Sequence, residues 1–422
     1  MITMLRHKFV IITFALLLLM GSPATKAGEI YLSGFLQGLY GGGLDSDNPT
    51  PTELTASETR LQLKLESFSD GAEFFGRLDF VYDDYNDPGV DLELREGYTK
   101  FRVGNNLDFK IGRQIVTWGT GDLIFINDLF AKDYRSFFIG RDDQYLKAPQ
   151  NALRAAYYTG LGTFSGVYTP RFTPNRIPTG ERLSYYNPMV GGIVGGEDFY
   201  FEGRMPEAKL KNGEFAAQFS RYFGTADVAA YFYRGFYKNP TGMDMVNMEA
   251  YYPRLNVYGA SIRMPALGGI AWLETGYYDS REDIDGDDPT IPNSTLSSMI
   301  GFERQLTSTF TANLQYQNKT ILDHDTYLAS LPEGFNETDE MYHLITSRVT
   351  KLMLMETLIL SGFVFYSPSD EDFYGRFSVS YKYTDALTLT MGGNIFDGND
   401  GYTEFGAFQK NDNVYIKVTY GY

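Results

Sequence analysis

The chain has 422 residues, no cysteine and a formal net charge of −17. Without cysteine it carries neither a disulfide framework nor a thiol for lipid attachment, and its acidity disfavours nucleic acid as a partner. Sixteen per cent of the residues are aromatic, with 33 Tyr and 32 Phe against 2 Trp, and Gly reaches 44.

Arg6, His7 and Lys8 precede an apolar run from Phe9 to Met20, and Ser22, Ala24 and Ala27 follow. That layout predicts a signal peptide over 1–27, cut after Ala27; the run is too short to span a bilayer, which needs about 20 residues. Taking Arg6, Lys8 and Lys26 away leaves 33 cations against 53 carboxylates, a net charge of −20 over 28–422.

The remainder alternates with a period of two. Strands are expected near 29–40, 57–67, 72–83, 92–103, 107–116 and 152–159. They continue near 163–170, 213–222, 227–237, 254–264, 269–279 and 295–305, then 309–319, 341–349, 354–366, 372–383, 387–396 and 411–422. In RLQLKLE, Leu61, Leu63 and Leu65 oppose Arg60, Gln62, Lys64 and Glu66. Such lengths suit tilted membrane strands of about 9–11 residues.

The connections alternate between long and short. Long ones are GGGLDSDNPTPTEL, 117–151, 171–212, DSREDIDGDDPTIP and DHDTYLASLPEGFNETDE; short ones are Ser69-Asp70-Gly71, Gly104-Asn105-Asn106, Gly160-Leu161-Gly162 and Thr384-Asp385-Ala386. An up-and-down barrel has this rhythm, with tight periplasmic turns and long outer loops, whereas a β-sandwich has no reason to keep it. The expected fold is all-β, a transmembrane antiparallel β-barrel of about 18 strands (16–18) in one domain. An even count lets the first and last strands pair and removes both sheet edges. The final strand, NVYIKVTYGY, then closes the barrel. Its Tyr420 and Tyr422 resemble the aromatic terminal signature read by the outer-membrane assembly machinery, with Lys417 where glycine is often seen. Expected partners are that machinery, outer-membrane lipid and lipopolysaccharide, and a small hydrophilic solute.

Catalysis has few supports. His324 lies in an acidic loop, and His343 is separated from Ser347 by roughly 13 Å of strand, too far for a base to reach a nucleophile. An enzyme is not expected. Asp283, Asp285 and Asp287 in DIDGDD are clustered carboxylates that could bind calcium. They lack the sixth-position glycine and twelfth-position glutamate of an EF-hand, so a solvated loop is the simpler reading.

After Trp118-Gly119 alternation fails for more than thirty residues. Leu123, Ile124, Phe125, Ile126, Leu129, Phe130, Phe137 and Phe138 need burial, and Asp122, Asp128, Lys132, Asp133, Arg135, Arg141, Asp142, Asp143 and Lys147 supply both signs of charge. A long unpatterned loop of this kind is usually functional. Folded into a wide lumen, it would set up a transverse field at a constriction; packed over the mouth or against a neighbouring subunit, it would not. Lumen and constriction candidates are Arg60, Lys64, Arg77, Lys110, Arg113, Trp118, Asp122, Asp128, Asp133, Arg135 and Arg141.

IGRQIVTWGTGD, APQNALRAAYY and VYTPRFTPNRIP together resemble Gram-negative outer-membrane barrels related in style to the alginate-export porins, over roughly 90–235. The resemblance implies a passive channel, for an anionic sugar among other solutes, and carries over no substrate-binding residue. On the expected inner faces the cations are Arg60, Lys64, Arg77, Lys110, Lys319, Arg376, Lys382 and Lys417. The anions are Glu66, Glu73, Asp79, Asp108, Glu214 and Glu303. The wall is nearly balanced, and the sign of selectivity stays open. No cofactor or energy coupling is expected. The alternative is a non-conducting structural or partner-binding barrel. A barrel for hydrophobic molecules would want an apolar lumen, against the Gln, Thr and Arg of these faces.

Overall fold

The computed structural model describes residues 30–69, 71–83, 90–196 and 203–422; the expected signal peptide lies outside them. The wall begins with β1 (Ile30–Gly43), β2 (Leu54–Ser69), β3 (Ala72–Asp83), β4 (Val90–Val103), β5 (Leu107–Gln114) and β6 (Gln150–Thr159). It continues with β7 (Gly162–Thr169), β8 (Glu214–Phe223), β9 (Ala226–Phe236), β10 (Arg254–Ala266), β11 (Gly269–Ser280) and β12 (Thr295–Thr307). The last six are β13 (Phe310–Ile321), β14 (Met341–Met353), β15 (Leu358–Ser367), β16 (Asp372–Lys382), β17 (Leu387–Gly398) and β18 (Asn413–Gly421). Each strand pairs antiparallel with its sequence neighbour in one 18-stranded sheet, and β18 returns to β1 from Phe35↔Gly421 to Gly43↔Asn413. The closing strand is thus hydrogen-bonded on both sides, which leaves no edge to aggregate.

Alternation sorts the two faces. Outward, Leu36, Ile111, Leu273, Ile300, Leu314, Val379 and Ile416 are exposed apolar side chains. At the tight-turn end this band is edged by Tyr31, Phe74, Tyr157, Phe164, Tyr222, Tyr383 and Tyr420, and at the long-loop end by Tyr40, Tyr82, Phe215, Tyr277 and Tyr366. An apolar band between two aromatic girdles is the surface that a bilayer solvates. The barrel therefore crosses the bacterial outer membrane with strands. His343 joins the outer girdle, stacked on Tyr316 at 5.9 Å between centroids with its Nδ1 2.8 Å from the Tyr316 hydroxyl.

The hydrophobic core lies inside the cylinder. Ile124, Ile126, Phe137, Phe138, Ile139 and Leu146 from the connection 115–149 pack against the inner faces of β14 to β18, at Tyr342, Leu344, Phe363, Phe365, Tyr374, Phe396 and Tyr415. This departs from the expectation of an inner wall made of Gln, Thr and Arg. Near the long-loop end the inner residues of these strands are aromatic, because they cover the apolar half of the connection.

Two local features escape simple alternation. In the β3–β4 ladder Arg77 pairs with Glu96 and Leu78 with Leu94, so Arg95 is the extra residue of a bulge. Arg95 and Glu96 are both buried. The turn after β14 falls at Leu354–Thr357, later than the expected break before 354, with Leu354, Met355 and Glu356 all at positive φ. It contains none of the usual turn residues; Thr357 closes it by donating both its N–H and its hydroxyl to the Leu354 carbonyl.

Candidate functional site at the 115–149 connection

The connection begins where β5 runs out of alternation and reaches inner faces all around the barrel. Its first anchor is Glu274 of β11, whose side chain is wholly buried. The Glu274 carboxylate accepts four hydrogen bonds: from Thr120 N at 2.5 Å, Thr120 Oγ1 at 2.7 Å, Asn127 N at 2.9 Å and Asn127 Nδ2 at 3.0 Å. Gly119 sits at φ +82°, and a Cβ there would lie 2.7 Å from Glu274 Oε1, so only glycine lets the backbone come this close.

Asp122 follows two to three strands further round the wall. Arg348 of β14 grips it with Nε at 2.7 Å and Nη2 at 3.1 Å, Asn313 Nδ2 of β13 donates at 2.7 Å, and Gln315 exchanges hydrogen bonds with its backbone. Lys132 is buried among Asp128 Oδ1 (3.0 Å), the Phe130 carbonyl (2.7 Å) and the Asp128 carbonyl, a fully satisfied internal brace. Asp133 caps the short helix α1 (Tyr134–Phe138) by accepting from Ser136 N at 2.9 Å. Gly140, at φ +86°, lies against the ring of Tyr415, where a Cβ would approach to 2.4 Å.

Beyond the helix the charges engage the wall. Arg141 donates to Glu58 of β2 through Nε and Nη2, the latter at 2.6 Å. Asp142 pairs with Lys417 of β18 and accepts from Gln37 Nε2 at 3.2 Å. Burial opposes ionisation of Asp142, but the attraction and hydrogen bond of Lys417 with the Gln37 hydrogen bond outweigh it, and its carboxyl lies below the usual range. Asp143 bridges Arg348 (3.2 Å) and Arg376 of β16 (3.1 Å). The Tyr145 ring is sandwiched by the guanidinium groups of Arg60 and Arg95 at 4.4 and 4.5 Å, a cation–π stack on both faces. Its hydroxyl donates to Asp79 Oδ2 at 3.0 Å, and Arg60 donates to the same oxygen at 2.6 Å.

A polar chamber of about 490 Å³ lies between the connection and β14–β18. Asp142 and Asp143 border it from the connection, while Arg348, Arg376 and Lys417 border it from the wall, with Ser361, Ser378, Ser380, Thr388, Thr390 and Thr419 around them. Anions of the connection thus stand against cations of the wall on this side. Further round, at β2–β4, the arrangement inverts: Arg141 of the connection faces Glu58 of the wall, and Arg60 and Arg95 sit among Glu58, Asp79 and Glu93.

None of the eleven lumen and constriction candidates borders this chamber, whereas Asp142 and Asp143, named among the charges of the connection, and Arg376 and Lys417, named among the inner-face cations, do. Arg60 and Arg141 are brought together at Glu58. Asp122 holds Arg348 from the side. Asp128 and Asp133 brace the connection itself. Lys64 pairs with Glu66 at 3.0 Å, Arg77 with Glu96 at 3.3 Å, and Lys110 lies 3.7 Å from the Tyr98 ring, all toward the tight-turn end. Arg113 follows Gly112, which is at φ +131°, and its Nε donates to the Leu94 carbonyl at 2.5 Å. Trp118 packs edge-on against Phe130 at 5.2 Å. Arg135 is half-buried, and among the described residues its guanidinium has no hydrogen bond. Arg348 and Glu274 were missed, although each is the one charge on the inward parity of its strand, a readable signal. Asp283 is buried and accepts from Asp287 N at 3.1 Å, while Asp285 and Asp287 point to solvent. Among the described residues no cluster of three acidic, His or Cys side chains is placed to hold a metal, so the calcium reading has no support in the geometry.

No family model matches the chain, and no curated protein does. In shape it is similar to the solved structures of OccK11 (OpdR) and OccK5 (OpdH) from Pseudomonas aeruginosa, with TM-scores of 0.52 and 0.53. Identity is 10% and 9%; each match covers 93% of this chain, and 95% and 98% of the other. The fold is that of an outer-membrane porin barrel. At this identity the likeness speaks for fold alone, and the resemblance to alginate-export porins stays with the sequence motif.

The outer mouth carries a titrating group. Burial, with Asp372 and Glu404 close by, pushes the Asp370 carboxyl up to about 6. It is neutral below that pH and anionic above it, so preference for cations is expected to rise between pH 5 and 7. Reversal potentials across a salt gradient should show this step, and Asp370→Asn should flatten it. A wild-type profile with no step would show that Asp370 titrates elsewhere.

Proposed function

We propose that this protein is a passive outer-membrane channel for small hydrophilic solutes, narrowed by the connection 115–149. The observation that carries the reading is the row of paired opposite charges bordering the polar chamber, Asp142 and Asp143 against Arg348, Arg376 and Lys417. A solute passing such a pair experiences a transverse field, which orders dipolar and charged molecules by orientation. Hydroxyls of Ser378, Ser380, Thr388 and Thr390 supply exchangeable hydrogen bonds along one wall, the surface that a sugar-sized polyol needs. An anionic sugar is the solute class suggested by the motif resemblance, with the three wall cations as its counter-charges.

The test is single-channel conductance of the refolded barrel before and after deletion of 120–147. Ladder hydrogen bonds of all eighteen strands survive the deletion, so the barrel should fold. Conductance is expected to increase several-fold, because the lumen loses its filling. A folded barrel that is silent both before and after deletion would overturn the channel and leave a structural or partner-binding role.

A further inference from the structure

Above the polar chamber, at the long-loop end, lies a second and larger cavity of about 1100 Å³. Its floor is the aromatic inner wall, Tyr342, Leu344, Phe365 and Tyr374, with Phe405 and Phe408 beside them. Its roof comes from other outer loops and includes Met189, Met243, Met245 and Met248. Lys319 and Glu404 are the charged side chains in the lining among the described residues, and they cancel. Among the described residues Lys319 has no carboxylate within ion-pair distance, and it lies 5.0 Å from the ring of Tyr342.

A water-filled vestibule that only collected hydrophilic solutes would have no need of such a surface. Met245 and Met248 are about half exposed and Phe335 is more so, apolar area kept in contact with water by loops that stand beyond the membrane band. Methionine side chains are unbranched and polarisable, and they adapt to irregular apolar shapes. A concave cavity of this size, mostly apolar with a few polar groups, is the usual form of a small-molecule site. Its electrical neutrality argues against an ion: Glu404 stands in the lining, with Asp370 close by, and both would repel an anion that Lys319 attracts.

We propose that the outer cavity is a binding site for a neutral, predominantly apolar or aromatic small molecule. The site is separate from the polar chamber. Leu123 and Phe137 line both spaces and form the partition between them. Leu123 holds φ +61°, rare for a bulky side chain, and Phe137 is held under the Arg376 guanidinium at 5.1 Å and against Tyr374 at 5.7 Å. A molecule bound above this partition faces a polar compartment below it, so the site retains an apolar guest at the outer surface.

The test is equilibrium dialysis of 2-naphthylmethanol, a neutral aromatic probe, against the full barrel in nanodiscs, with empty nanodiscs subtracting partition into lipid. Saturable binding is expected for the protein. Ala407→Trp, which fills the cavity from its side, and Met243→Glu, which places a charge in the roof, should each weaken binding at least tenfold. Both residues lie outside the barrel ladders, Ala407 in a short helical turn and Met243 in a two-stranded hairpin of an outer loop, so the variants serve as two independent checks. The anion 2-naphthoate should bind far more weakly than the alcohol. Absence of saturable binding, unchanged affinity in both variants, or tighter binding of the anion would overturn the proposal. Because the readout is binding, a barrel that binds the probe yet conducts nothing would sink the channel reading and leave this one standing.

Discussion

Glu274→Ala is expected to release the first part of the connection while leaving the barrel closed. The substitution strips the acceptor from two backbone N–H groups, one hydroxyl and one amide. Each hydrogen bond to a charged group contributes roughly 1.5–3 kcal/mol, and a buried donor left alone costs about 1–3 kcal/mol. The connection need not bear that cost in full, since undocking 119–127 lets water reach the freed donors; the expected response is therefore local. Single-channel recordings should show larger and noisier currents, and a protease added from the long-loop side should cut within 119–127 where the wild type resists. Gly119→Ala should produce the same phenotype by a different route, because its Cβ would collide with the same carboxylate. Quiet currents and full protease resistance in both variants would show that Glu274 is not the anchor.

Leu63→Arg is expected to lower barrel stability by about 2–4 kcal/mol if the position lies near mid-bilayer. Leu63 is central in β2, paired with Gly34 and Leu78 on the outer face. Its neighbour makes the control. Lys64 points inward and pairs with Glu66 while a third exposed, and a pair of that kind contributes about 0.2–1 kcal/mol. Lys64→Leu should thus unfold within about 1 kcal/mol of the wild type and shift ion preference toward cations. Urea titrations in lipid vesicles separate the two. Midpoints of both variants equally close to that of the wild type would mean that the inside–outside assignment is wrong.

These two experiments probe different kinds of information. Leu63 and Lys64 were assigned to faces by alternation alone. A strand whose two sides meet lipid and water must alternate, since a one-residue slip exposes every polar group to lipid. Even the placement of the long connections follows from this, because all of them occur at one end, although that end also holds the four-residue turn 368–371. Hence all eighteen strands, and closure through NVYIKVTYGY, were legible without coordinates. The exceptions have local causes. The Leu354–Thr357 turn carries no turn residue, and the Arg95 bulge looks like ordinary strand until its partner is known.

The connection 115–149 belongs to the other kind. Its composition announced that it needed burial and carried both charge signs, yet composition holds no period and so no direction. That Glu274, Arg348, Glu58 and Lys417 receive Thr120, Asp122, Arg141 and Asp142 depends on which strands the closed cylinder brings opposite that loop. Those partners are separated by hundreds of residues in some cases, and no local pattern links them. The same holds for the aromatic floor of the outer cavity. Phe365 and Tyr374 each occupy an ordinary inward position on a separate strand, and only pairing in register places them directly opposite each other. Local periodicity determined the barrel and its two faces; the tertiary structure decided what fills it, because long-range packing sets which inward side chains meet.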